Sequence, residues 1–497
     1  MRCRFIRVVV CLCALWLAGA AGAAGRPGDA GDAAPAPCRV KGLKHEVLCG
    51  SVTRALNPAQ AAGPTIAVHY VLVPAAARYK LADPVFFFAG GPGQSAIALA
   101  GTVLPLFQRL NNRRDLVFID QRGTGRSAPL ACDSDDGLPL VQRVDAERAI
   151  QRLSACLATL RALPHGDLRQ YTTSIAMADA DAVRAALGAP QVNLVGGSYG
   201  TRAALDYLRQ FPNRVRRMVI DGVVPPDMDL PVSMGQDVQA ALDQLFADCE
   251  REPACQARHP QLRAHWRGLL AALPQAASVI DPLDGRPAGV TITPDLLASA
   301  VRGPLYAPGL AAALPFAIDE AAAGRYSALV GLAGGPGGGT RATRLFEGMH
   351  FSVVCAEDRR GLSGESPPAG LAAVYLRPYV TLCRDWPRGN VPPAFYSLPV
   401  SPAPVLAFSG TLDPVTPPRH GERVVKALGA KARHVVVPNA GHGVMAIGCA
   451  REVVHRFIDA ETEAQALAAD ATCLVRLPRP PAFEPPRPEL ASPGVAR

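Results

Sequence analysis

Residues 192–211 read VNLVGGSYGTRAALDYLRQF. The first four suit a short buried strand, and the last eleven carry apolar residues at helical spacing. Between them, Gly196-Gly197-Ser198-Tyr199-Gly200 fits G-x-S-x-G. A chain that passes from strand to helix in so few residues needs the backbone freedom that glycine supplies. The sharpness of the turn lifts the serine hydroxyl clear of the sheet edge, where it can act as a nucleophile. Without the flanking strand and helix, the motif would be only a glycine-rich turn.

Outward from this turn, short apolar runs alternate with helical stretches. Thr65–Val73, Val85–Phe88, Leu116–Ile119 and Arg217–Ile220 read as strands, and Ala176–Leu187 as a helix ending at Gly188. Short apolar strands separated by helices predict a mostly parallel sheet covered on both faces. The alternation stops after Asp221, where helical stretches such as Val238–Ala247 and Leu310–Ala323 take over. It resumes with the strand Val405–Phe408, a helix near Glu422–Leu428, the strand Val435–Val437 and a helix near Val453–Ala460. The simplest organisation is one α/β domain in two parts, 60–226 and 396–473, interrupted by a mostly helical cap at 227–395. Residues 25–59 read as an N-terminal linker and extension. The proline-rich stretch 474–497 reads as an extended or disordered tail. A second GGPG, Gly334–Gly337, lies inside the insertion without a preceding strand and reads as a flexible loop.

The chain has 497 residues, 49% hydrophobic and 19% charged, a globular composition that argues against disorder along most of its length. Its formal charge of +9 comes from scattered arginines, with only five lysines, and no basic run is interleaved with aromatics. Nucleic-acid binding is therefore not expected. Residues 1–24 have the layout of a signal peptide: Arg2, Arg4 and Arg7, the apolar run Val8–Leu17, then the small residues Ala21–Ala24. Its removal takes Cys3, Cys11 and Cys13 from the thirteen cysteines and leaves ten. Ten cysteines allow about 900 connectivities. The economical one joins sequence neighbours: Cys38–Cys49, Cys132–Cys156, Cys249–Cys255, Cys355–Cys383 and Cys449–Cys473. The expected mature protein is exported, periplasmic or secreted, with no stable membrane insertion after signal cleavage.

A serine nucleophile needs a base and an orienting acid, supplied in this architecture in the order serine, acid, histidine. Asp413 in SGTLDPVTP and His442 in NAGHG each follow a strand, so both fall at the sheet edge where Ser198 stands. The oxyanion of an acyl-transfer intermediate would take the N–H of Tyr199 and one from Ala89-Gly90-Gly91-Pro92-Gly93. Proline has no N–H, which leaves Gly91 as the donor. Such a site needs no metal or organic cofactor.

GGPG at 90–93, DQRGTGRS at 120–127, GGSYG at 196–200, LDP at 412–414 and GHG at 441–443 occur in one order. In this the chain resembles the prolyl aminopeptidase/tripeptidyl aminopeptidase family of α/β-hydrolase serine peptidases, and most closely its secreted, cysteine-containing branch. Ala89 stands where typical prolyl aminopeptidases carry a histidine, so the resemblance points to a peptidase more than to proline specificity. It implies an α/β-hydrolase fold with the insertion as its cap, and an exported serine peptidase that cleaves near the free N-terminus of short peptides. DQRGTGRS would support loops around the catalytic face through a charge network. The resemblance also implies that Glu357, with Asp358 beside it, binds the substrate's α-ammonium group, as a partly desolvated carboxylate can. The competing expectation is a cap-bearing esterase or another small-molecule hydrolase.

Overall fold

A computed structural model describes residues 34–333, 344–358, 362 and 370–485. The expected signal segment 1–24, the second GGPG and residues 486–497 lie outside the described residues. Eleven strands form among them: β1 (Ala36–Cys38), β2 (Val47–Ala55), β3 (Thr65–Val73), β4 (Val85–Phe88), β5 (Leu116–Ile119), β6 (Val192–Gly197), β7 (Val215–Asp221), β8 (Gln275–Ile280), β9 (Pro287–Ile292), β10 (Val405–Gly410) and β11 (Ala432–Val437). Nine of them make one sheet in the order β1-β2-β3-β5-β4-β6-β7-β10-β11. From β5 to β11 every neighbouring pair is parallel, while β1, β2 and β3 join antiparallel.

The alternation of side chains along each strand supplies both faces of the sheet. Phe86 and Phe88 of β4 pack with Val192 and Leu194 of β6 on one face. Phe87 and Val195 point to the other, with Phe408 of β10 and Val437 of β11. This double burial explains why the central strands read as continuous apolar runs.

The insertion has its own core, built on Val238, Leu242, Leu297, Val301 and Ile318. It is mostly helical, as expected, and also contains the β8–β9 hairpin. Among the described residues, no helix is long and apolar enough to cross a membrane. Five disulfides form, joining the five pairs of sequence neighbours named above.

Two terminal segments depart from the sequence expectation. The stretch read as linker and extension, 25–59, contributes β1 and β2 to the sheet, where β2 pairs with β3 from Thr65 to Leu72. Val47, Val52 and Leu56 are buried there, a weak alternation hidden among glycine, serine and arginine. The described part of the tail is extended, and contacts anchor it to the cap as far as Glu484. Phe483 N–H donates to the Ala312 carbonyl at 2.8 Å, and its ring meets Phe316 edge-on at 5.7 Å. Arg479 and Glu484 pair with Asp248 and Arg258 of the cap. Proline keeps such a strand extended without internal hydrogen bonds, so a few anchors suffice to dock it.

Candidate active site

Ser198 follows β6 with φ +56° and ψ −127°, a conformation L-residues rarely adopt. Two glycines near it, Gly196 and Gly200, are required by close approach, while Gly197 has open space. A Cβ on Gly196 would fall 2.3 Å from the Gly200 carbonyl oxygen, and one on Gly200 would fall 2.1 Å from that of Phe88. The helix Tyr199–Gln210 begins at once. The Tyr199 N–H therefore belongs to a first turn, whose donors no intrahelical carbonyl satisfies.

The second turn of the site meets the serine directly. A Cβ on Gly90 would lie 3.1 Å from Ser198 Cβ. Gly91, with φ +110°, is thus carried on a turn that abuts Ser198. The insertion closes over this turn: Phe346 N–H donates to the Gly93 carbonyl at 2.8 Å, and His350 Nδ1 lies 3.0 Å from the Pro92 carbonyl oxygen.

Asp413 follows β10 and His442 follows β11, and the two side chains meet with His442 Nδ1 2.8 Å from Asp413 Oδ2. Asp413 Oδ1 accepts from the N–H groups of Val415 and Thr416 at 2.9 and 2.8 Å. Its Oδ2 also accepts from Thr416 Oγ1 at 2.6 Å. Burial pushes this carboxyl's pKa up, but His442 and the Thr416 donors outweigh it and hold the pKa below the usual value. Burial likewise disfavours the His442 imidazolium, yet Asp413 raises its pKa above the ordinary one. No hydrogen bond joins Ser198 Oγ to His442 among those the structure makes.

One corner anchors both groups. The Asp221 carbonyl at the end of β7 accepts the Ser198 N–H at 2.8 Å. Its carboxylate accepts the N–H groups of Val444 and Met445 at 3.0 and 2.7 Å, just beyond His442. Burial pushes the Asp221 pKa up to about 6. The next residue, Gly222, leaves room for the imidazole, since a Cβ there would lie 2.9 Å from His442 Cε1. Sequence reasoning missed Asp221 and Thr416. An aspartate closing an apolar strand that runs to the sheet edge of Ser198 was the available signal for the first.

Glu357 and Asp358 are placed differently from the expectation. Both side chains are wholly buried and share one guanidinium, that of Arg202, one turn beyond Ser198 on the elbow helix. Arg202 Nη1 donates to Asp358 Oδ1 at 2.9 Å and reaches Glu357 Oε2 at 3.4 Å. Glu357 also accepts from the N–H and hydroxyl of Thr173. Burial pushes the two carboxyls up to about 7 and about 6, and the Arg202 charge opposes that rise in both. In this arrangement the pair fastens the end of the helix Glu347–Glu357 to the elbow helix and presents no open carboxylate to a substrate ammonium.

DQRGTGRS forms a buried polar support. Arg122 donates to both oxygens of Asp179 at 2.7 and 3.0 Å and to the Leu56 carbonyl at 2.7 Å. Asp120 accepts from Ser95 Oγ at 2.6 Å and from the Ile97 N–H at 3.1 Å, which pins the helix after GGPG.

Comparison with known proteins agrees with this architecture. A family described as "alpha/beta hydrolase fold" matches residues 83–447. The chain is 31% identical over 240 residues to the serine protease Hip1 of Mycobacterium tuberculosis, covering 44% of this chain and 45% of that protein. It is 31% identical over 216 residues to a tripeptidyl aminopeptidase of Streptomyces lividans, covering 39% of each. A Mycobacterium tuberculosis protein named carboxylesterase B is 28% identical over 387 residues, covering 69% of this chain and 71% of the other. The match thus spans under half the length of the two peptidases.

Proposed function

Because the chain belongs to the α/β-hydrolase fold family, we propose that it is an exported serine peptidase acting near the free N-terminus of short peptides, with Ser198, Asp413 and His442 as its triad. The observation that carries this reading is the Asp413 Oδ2–His442 Nδ1 contact at the sheet edge where Ser198 stands. An Nδ1–H that donates to Asp413 leaves Nε2 as the basic nitrogen. Nε2 takes the Ser198 proton as Oγ attacks the carbonyl, and Asp413 stabilises the imidazolium. The N–H groups of Gly91 and Tyr199 receive the oxyanion. His442 then protonates the leaving amine, and water, activated by the same nitrogen, releases the acyl group from Ser198. The five disulfides support an oxidising compartment.

A second reading, a capped esterase, is favoured by one observation: Arg202 already occupies the carboxylates that would bind an ammonium group. Two measurements decide. Fluorophosphonate labelling that is lost in Ser198→Ala supports the nucleophile, and absence of labelling in the wild type removes it. Turnover of tripeptide anilides with free rather than blocked N-termini supports the peptidase, whereas turnover of simple esters alone supports the esterase.

A further inference from the structure

Other buried arginines among the described residues hold oxygen acceptors, although the Nε of Arg202 and of Arg217 has none. Arg122 bonds Asp179, Arg202 bonds Asp358 and the Met228 carbonyl, and Arg217 bonds the carbonyls of Phe457 and Ala460. Arg302, on the cap helix Pro294–Leu305, differs. Among the described residues it pairs with no carboxylate. Its hydrogen bond there runs from Nη1 to Met234 Sδ at 3.5 Å, a weak acceptor for one of five donors. Its guanidinium carbon lies 5.7 Å from the centroid of the Tyr375 ring. Burial works against the charge, but the phenols of Tyr306, Tyr375 and Tyr379 raise the arginine's pKa above its ordinary value.

The neighbours of Arg302 reach both sides of the candidate site. Tyr306, one turn along, packs edge-on to the His442 ring with centroids 5.1 Å apart, and its carbonyl accepts the His442 N–H at 3.0 Å. On the other side, Tyr379 Oη lies 3.0 Å from His350 Nε2, and that histidine's Nδ1 contacts the Pro92 carbonyl of the GGPG turn. The Tyr375 hydroxyl donates to the Ala298 carbonyl at 2.6 Å. The Tyr306 hydroxyl makes no hydrogen bond among the described residues, and both it and Arg302 keep partial solvent exposure.

A half-buried guanidinium with a thioether as its acceptor, one turn before a tyrosine that packs on His442, has donors that an anionic group can satisfy. We propose that Arg302 and the Tyr306 hydroxyl form a carboxylate subsite of the Ser198 cleft. The carboxylate comes from the substrate, either as the C-terminus of a short peptide or as an acidic side chain. A C-terminal carboxylate held there limits the enzyme to peptides short enough to span from Ser198 to Arg302. The inference rests on the serine-hydrolase reading of Ser198, but not on the choice between peptide and ester.

The test uses matched pairs that differ in one charge: mono-nitrophenyl glutarate against nitrophenyl butyrate, a free-N-terminal peptide with a free against an amidated C-terminus, and Glu against Gln within an amidated peptide. The expected wild-type preference for at least one charged member is about 10- to 100-fold in kcat/KM. The C-terminal and side-chain pairs tell the two carboxylate sources apart. Arg302→Met removes the preference by lowering kcat/KM for the charged member far more than for the neutral one. Arg302→Lys, which keeps the charge but loses the fork, gives an intermediate preference and covers the case in which the methionine variant does not fold. No preference in the wild type overturns the subsite, as does an equal loss on both members of a pair in a variant with an unchanged thermal midpoint. Fluorophosphonate labelling run alongside separates the two failures: labelling without charge preference sinks the subsite alone, and absent labelling sinks the hydrolase reading with it.

Discussion

Replacing Asp413 by asparagine tests the proposed triad most sharply, because each oxygen of this carboxylate has identifiable partners. Oδ1 accepts the Val415 and Thr416 N–H groups, and an asparagine oxygen can keep both. Oδ2 faces the Thr416 hydroxyl and His442 Nδ1, and there the asparagine presents an N–H₂ group. The hydroxyl can rotate to accept. The imidazole can accept only through an unprotonated Nδ1, which moves its proton to Nε2 and leaves no base facing Ser198. The expected loss in kcat is about 10³- to 10⁴-fold, the size of effect that follows from a wrong tautomer at a triad histidine. Stability should fall by only about 1–3 kcal/mol, the scale of one charge-assisted hydrogen bond, because the loop keeps its two backbone bonds. Without the carboxylate, burial acts on His442 against the Asp221 charge only, so the acid limb of the residual activity should move to lower pH. The assay is nitroanilide or nitrophenyl ester turnover across pH, with a thermal melt on the same sample. Activity within about tenfold of wild type, or an unmoved acid limb, would refute the reasoning.

Other expectations can be checked with the same assays. The raised pKa of His442 stabilises the fold fully below the unfolded value of about 6.5, and this contribution is lost as pH rises through the folded pKa. Activity, which needs the neutral imidazole, rises through that same window, so the His442 part of the thermal midpoint and kcat/KM should run in opposite directions there. Asp179→Ala strands the buried Arg122 guanidinium and should destabilise the protein by about 3–5 kcal/mol, read as a lower denaturant midpoint; a change below about 1 kcal/mol would count against the support network. Replacing Cys449 and Cys473 by serine removes a bridge over a separation of 24 residues, which the chain-entropy account values at about 3 kcal/mol. Ending the chain at Arg479 deletes Phe483 and Glu484 with their cap contacts, and should lower the thermal midpoint and speed proteolysis within the cap.

Much of the architecture was readable from local pattern. The strand-turn-helix at 192–211 has its meaning within twenty residues: the apolar run, the helical period and the two glycines whose hydrogens alone fit. Asp413 and His442 were readable for a related reason, since each directly follows a strand and parallel strands deliver their following loops to one edge. The disulfide pairs span separations of 6 to 28 residues, so sequence proximity was a fair guide to contact.

What the sequence left undecided concerns partners far apart in the chain. Glu357 and Asp358 read as a free acidic pair until the fold brought Arg202, 155 residues from Glu357, against them. The Asp221 carboxylate reaches the loop after His442 across 223 residues, and no spacing rule announces such a bond. That no carboxylate among the described residues pairs with Arg302 is equally invisible in a chain with 42 acidic residues. Periodicity and backbone sterics act between neighbours, so the sequence alone determined the elements, the elbow and the edge on which the site is built. Neutralisation of a buried charge depends on which groups meet in space, and only the tertiary structure decided which acids pair with Arg202 and which side chains surround Arg302.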